Sequence, residues 1–94
     1  MNELELSSDL PSEAVDYVFS DIEAQLEREG HPSGVSVIQS MRVVTVNNDD
    51  ELFGVLLQVA GSSVEDWITE NYDSLTEEER ESYRAPNSIE RRFL

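Results

Sequence analysis

The sequence predicts an α+β domain, with helices packed on one face of a small antiparallel sheet in the order (β)αββαα. Three observations predict it. Apolar residues recur at helical spacing between residues 15 and 26. β-branched residues crowd residues 35–46. A second amphipathic run, framed by two capping signatures, fills residues 62–84.

The first segment, Glu3–Leu6 (ELEL), alternates polar and apolar with period two, as a short edge strand does. A helix is expected to start near Asp9–Ser12, with Pro11 tolerated in its first turn. Val15, Val18, Phe19, Ile22 and Leu26 then form one apolar stripe, and Gly30 and Pro32 stop it. VSVI and MRVVTV read as strand, with a break near Gln39–Ser40. Asn47–Glu51 (NNDDE) reads as a turn. In LFGVLLQVA, Phe53, Val55, Leu57 and Val59 alternate, so the segment is expected to be the second arm of a hairpin, with Gly54 at a bulge or a close approach.

Ser62 with Glu65 fits a capping box, opening a helix whose apolar face is Val64, Trp67, Ile68 and Leu75, with Tyr72 at its edge. Thr76 with Glu79 fits a second box and opens a short helix to about Arg84, closed by Ala85–Asn87. The expected organisation is a single domain over residues 1–85 and a short C-terminal tail over 86–94.

The charge is more unusual than the fold. The chain has 94 residues, no lysine, no cysteine and a formal net charge of −15. Residues 1–79 hold 19 acids against two arginines, −17. Residues 80–94 hold two acids against four arginines, +2. The absence of cysteine excludes disulfides and thiolate metal sites and suits a reducing cytoplasm. No apolar run approaches the roughly 20 residues of a membrane span, and the acidic start lacks the apolar region of a secretory signal. Nucleic acid and anionic membranes would be repelled, so neither is expected as a direct partner.

No catalytic, cofactor or metal signature is present. Asn47–Glu51 lacks the ligand spacing and the glycine of a calcium loop. His31 stands alone, with no second ligand or nucleophile in its context. Close carboxylate pairs arise by chance among 21 acids, and no phosphate-cradling loop accompanies any of them. The expectation is therefore a non-enzymatic protein without cofactor. Gly30–Gly34 (GHPSG) locally resembles the HPSG stretch of colicin-type nuclease immunity proteins, small acidic inhibitors of basic nucleases. The match covers four residues. That family is all-helical, and the tyrosines that follow its motif have no counterpart in VSVIQS, so no residue role is carried over.

The acidic residues themselves carry the functional signal. At 100° per residue, Glu13, Asp16, Glu23 and Glu27 fall within an arc of about 80°, away from the apolar stripe, with Ser20 as the one uncharged gap. Asp66, Glu70 and Asp73 form a second expected stripe. Neither has an arginine three or four residues away, although like charges at such spacings cost a helix a few tenths of a kcal/mol per pair. Carboxylates about one helical pitch apart, roughly 5.4 Å, approach the spacing of backbone phosphates.

These seven residues are the expected partner-binding surface. The expected partner is a basic nucleic-acid-binding protein such as a nuclease or CRISPR effector. In size and charge the chain resembles, as a class, phage-encoded DNA-mimic and anti-CRISPR proteins. Two alternatives share the composition. One is a halophile domain whose acidity is salt adaptation. The other is an acidic adaptor or immunity-type protein contacting its partner through apolar faces and Arg91–Leu94. By contrast, Glu77–Glu79 read as a helix start. The dipole there favours anions, and Arg80 and Arg84 stand three residues from Glu77 and Glu81.

Overall fold

A computed structural model describes residues 1–93. The elements are strand β1 (Asn2–Leu6), helix α1 (Ser12–Arg28), strands β2 (Val35–Ile38) and β3 (Val43–Val46), helix α2 (Asp50–Glu70), helix α3 (Glu77–Tyr83) and strand β4 (Ile89–Phe93). The four strands form one antiparallel sheet in the order β2-β3-β1-β4. The architecture is α+β with the helices on one sheet face. Leu4 and Leu6 of β1 and Val44 and Val46 of β3 point to that face and pack on the buried stripe Val15, Val18, Phe19, Ile22 and Leu26 of α1.

Residues 52–60 are helix, not the second arm of a hairpin. Two periods are superimposed in LFGVLLQVA, and the helical one continues beyond it. Leu52, Leu56, Ala60, Ser63, Val64, Trp67 and Ile68 form one buried stripe along α2. The alternating set Phe53, Val55, Leu57 and Val59 is only half-buried. The helix starts where Asp49 accepts a hydrogen bond from the Leu52 N–H at 2.9 Å. It runs through Ser62 without a break, so Ser62–Glu65 is not a helix start. Replacing Asp49 by alanine is expected to lower stability by about 1 kcal/mol, read as a shift in the urea midpoint.

Gly54 marks no bulge. It lies on the exposed side of α2, and a Cβ added there would meet nothing within 4 Å. Gly54→Ala is expected to stabilise the domain by about 0.5–1 kcal/mol, because it removes backbone freedom from the unfolded chain. Thermal unfolding of the variant checks this.

The hairpin is formed by β2 and β3, turning through a 3₁₀ segment at Gln39–Met41 and a left-handed Arg42 (φ 59°). The break expected at Gln39–Ser40 is thus the turn itself. The Arg42 guanidinium donates to the carbonyls of Ser7 (2.8 Å) and Leu10 (2.6 Å), tying the turn to the β1–α1 connection.

The C-terminal segment is not a tail. Ile89–Phe93 pair with β1 over its full length, and Ser7 N–H donates to the Ser88 carbonyl at 2.7 Å. Leu94 lies outside the described residues.

The Thr76–Glu79 capping box is present in both directions, at 3.0 and 3.1 Å. Tyr83 of α3 meets Trp67 of α2 edge-to-face, with ring centroids 6.1 Å apart. The Glu79 carboxyl is held below its ordinary range, first by the Thr76 backbone N–H, then by the Thr76 hydroxyl and the Tyr83 hydroxyl. A depressed carboxylate pKa supplies support that is complete above the unfolded value and is lost as pH falls through the folded one. The Trp67–Tyr83 near-ultraviolet signal is therefore expected to weaken below the ordinary glutamate range. In Glu79→Gln that component of the acid response should be absent.

Candidate functional site, an acidic helical surface

Glu13, Asp16, Glu23 and Glu27 are all exposed along one flank of α1. That flank lies beside strand β2. Gln39 Nε2, just past the end of β2, donates to the Asp16 carboxylate. Towards the other end of α1, Glu23, Leu26 and Glu27 line a groove of about 550 Å³ with His31, Val35 and Val37. The α1 stripe therefore runs antiparallel to β2 and borders its outer edge.

The second expected stripe is divided. Asp66 and Glu70 are on α2, which ends at Glu70 with Asn71 as its cap. Asp73 belongs to a separate 3₁₀ turn, Tyr72–Ser74. A helix through residue 73 would have aligned the three, but the end of α2 removes Asp73 from that line. Leu75, expected on the same apolar face, also lies beyond the helix.

Asp66 and Glu70 face α1, not the α1 stripe. They stand near Tyr17 and Asp21, and the Tyr17 hydroxyl is pushed above its ordinary pKa first by burial, then by Glu70, Asp66 and Asp21. Buried Ser63 donates to Asp21 at 2.7 Å. The Tyr17–Asp21–Arg28 side of α1 thus separates the two groups of acids, and they do not form one continuous double stripe. Asp21 joins the second group, which the sequence did not single out. The signal for it is the 100° step that turns Asp21 from the outer stripe towards the neighbouring helix.

Among the described residues no arginine is ion-paired with either group, although Arg28 lines the same groove as Asp21 and Asp66. Among the described residues the ion pairs are Arg84–Glu65 at 3.7 Å and Arg92 with Glu3, Glu5 and Glu90 at 3.2, 2.7 and 3.2 Å. Arg42 and Arg80 direct their guanidinium groups to backbone carbonyls, and Arg28 donates to the Ala24 carbonyl. The helix-start glutamates are also not paired as the i, i+3 spacing suggests. Arg80 caps the carbonyls of Tyr72 and Leu75 and stacks 3.9 Å from the Tyr72 ring centroid, while Arg84 reaches Glu65.

The remaining residues singled out from the sequence take structural places. Trp67 is buried in the core. His31 is an exposed turn residue with a positive φ of 48°. Asn47–Glu51 leads into the first turn of α2. Among the described residues no group of three His, Asp or Glu side chains is arranged to hold a metal ion, and no helix is long and apolar enough to cross a membrane. No protein-family model, curated protein or solved structure matches this chain.

Proposed function

We propose that this protein is a non-enzymatic acidic inhibitor that occupies the basic nucleic-acid-binding surface of a target protein, a DNA mimic of the anti-defence type acting in the cytoplasm. One observation carries the reading. Glu13, Asp16, Glu23 and Glu27 project from one helix flank into solvent, and among the described residues no arginine pairs with them. A fold under no demand for a cationic partner would gain by alternating signs along that flank. Rigid carboxylates at helical spacing attract a cationic groove over long range, giving fast association that weakens steeply with salt. With the α2 acids on a different flank, the α1 stripe is the contact surface, and Asp66, Glu70 and Asp73 supply long-range field.

The test is affinity capture from a lysate, with and without competing duplex DNA. The expected result is a nucleic-acid-binding protein that DNA displaces. Capture of no such protein, or failure of DNA to compete, overturns the reading. Salt separates it from halophilic adaptation. An inhibitor of mesophilic origin is expected to keep its circular dichroism at about 10 mM salt, where the Debye length is about 30 Å. A domain acidic only for salt tolerance unfolds there through unscreened self-repulsion.

A further inference from the structure

We propose that the outer edge of β2, together with the groove under α1, binds an extended strand of a partner protein in which basic and apolar residues alternate. The inference deepens the function proposed above and rests on its cationic partner, but it adds a binding mode that charge alone does not require.

The phase of the ladder identifies which backbone groups are free. Asn47 N–H donates to the Gly34 carbonyl at 2.9 Å, so that pair is a hydrogen-bonded one. In an antiparallel ladder such pairs alternate with non-bonded ones. Ser36–Thr45 and Ile38–Val43 therefore exchange hydrogen bonds, and Val35–Val46 and Val37–Val44 do not. The N–H and C=O groups of Val35 and Val37 point away from β3. β2 is the last strand on that side, and no turn, cap or side-chain hydrogen bond of the described residues uses these groups.

Apart from its shortness, four residues, this edge lacks the devices that usually protect one. Val35–Ile38 contains no charge and no proline, whereas the opposite edge, β4, carries Glu90, Arg91 and Arg92. Ile38 is 40% exposed and Met41, in the adjoining turn, 63%.

The surroundings of the edge define its occupant. An added strand lies about 4.8 Å from β2, and every second side chain enters the groove. Its floor is Leu26, Val35 and Val37, and Glu23 and Glu27 form its rim. Arginine or lysine suits those inward positions, with the alkyl stem on the valines and the charge at the carboxylates. The alternate side chains fall on the open sheet face beside Ile38, where an apolar residue suits. A second copy of this chain offers its own sheet edge, although Ile89, Arg91 and Phe93 share one face of β4 and Glu90 and Arg92 the other, which is not that alternation. Two bodies of net charge −15 also repel, so a basic partner is the occupant the charges favour.

The test uses an end-blocked hexapeptide of alternating arginine and valine, and two versions of the same charge. One is N-methylated on every arginine, the other on every valine. Antiparallel addition makes the arginine nitrogens face β2, and parallel addition the valine nitrogens. One methylated peptide is therefore expected to bind at least about tenfold more weakly than the parent. Equal binding of all three overturns strand addition.

On the protein side, Val37→Pro removes an N–H that β3 does not use, so the hairpin is expected to survive while peptide affinity falls at least about tenfold. Unchanged affinity in a folded Val37→Pro overturns the proposal. If that variant does not fold, the methylated peptides on the native chain decide alone. Glu23→Gln with Glu27→Gln is expected to weaken binding and flatten its salt dependence. If the glutamine pair alone weakens binding, strand addition fails and the acidic-surface reading stands. If it leaves both the peptide and the DNA-displaceable partner bound as before, that reading fails too. Sedimentation that shows self-association lost in Val37→Pro makes the occupant a second copy and overturns the proposal.

Discussion

Replacing Asp16, Glu23 and Glu27 together by lysine is expected to lower affinity for the captured basic partner by about 100-fold or more, with the domain still folded. Each substitution changes the charge by two, so the chain moves from −15 to −9. Electrostatic steering contributes roughly 10- to 1,000-fold to association rates, and these three acids are the part of the field fixed at the proposed contact. The cost to folding is small. All three side chains are exposed, and among the described residues only Asp16 gives up a hydrogen bond, the one it accepts from Gln39. Like-charge repulsion between positions 23 and 27 is exchanged for a similar one, a few tenths of a kcal/mol. A lysine near the start of α1 opposes the helix dipole and one near its end suits it, so the dipole terms offset. Binding kinetics and a thermal melt measured on the same preparation check both halves. A folded variant that binds within about threefold of the native chain would reduce the stripe to a solvated face.

Removing residues 86–94 is expected to destabilise the domain by about 4–6 kcal/mol, a loss as large as the whole stability at the low end of the usual range. The truncation deletes β4 and with it the ladder along β1, from Asn2–Phe93 to Leu6–Ile89. It removes the Ser88 carbonyl that accepts from Ser7, and it uncovers the flank of Leu4 and Leu6, which are fully buried in the core. It also removes Arg92, which stands among Glu3, Glu5 and Glu90 on the open sheet face. The ion pairs are partly exposed and count for little. The ladder hydrogen bonds, at about 1 kcal/mol each, and the apolar burial that goes with them together amount to about 4–6 kcal/mol. A domain of this length has only roughly 5–14 kcal/mol to lose. Urea unfolding of the truncated chain is the measurement. A loss of stability below about 1 kcal/mol would mean that β4 is an accessory strand.

Much of this architecture was legible because local signals agreed with burial. The α1 stripe at Val15, Val18, Phe19, Ile22 and Leu26 is one uninterrupted helical period, and every member is buried. The Thr76–Glu79 box is a purely local exchange of hydrogen bonds, so it could be read without knowing what α3 packs on. The same holds for the stop at Gly30, which takes a left-handed φ of 79° after α1.

Elsewhere two local signals compete. LFGVLLQVA satisfies both period two and period 3.6. The choice is made by residues beyond it, since only the helical period continues to Val64, Trp67 and Ile68. SIERRFL has no period that marks it as strand. Ile89–Phe93 become one because β1, near the other end of the chain, presents an open edge to them.

For the candidate surface, spacing alone places Glu13, Asp16, Glu23 and Glu27 on one helix flank, with no arginine three or four residues from any of them. Both follow from the 100° step of a single helix. What that flank borders depends on contacts between distant segments. The β2–β3 register leaves the backbone N–H and C=O groups of Val35 and Val37 facing outward beside the carboxylates, while the end of α2 at Glu70 breaks the second stripe. Helix faces are set by covalent geometry and can be read from spacing alone. Which helix face lies beside which strand edge is set by how distant segments bury their apolar sides against one another, and no local pattern carries that.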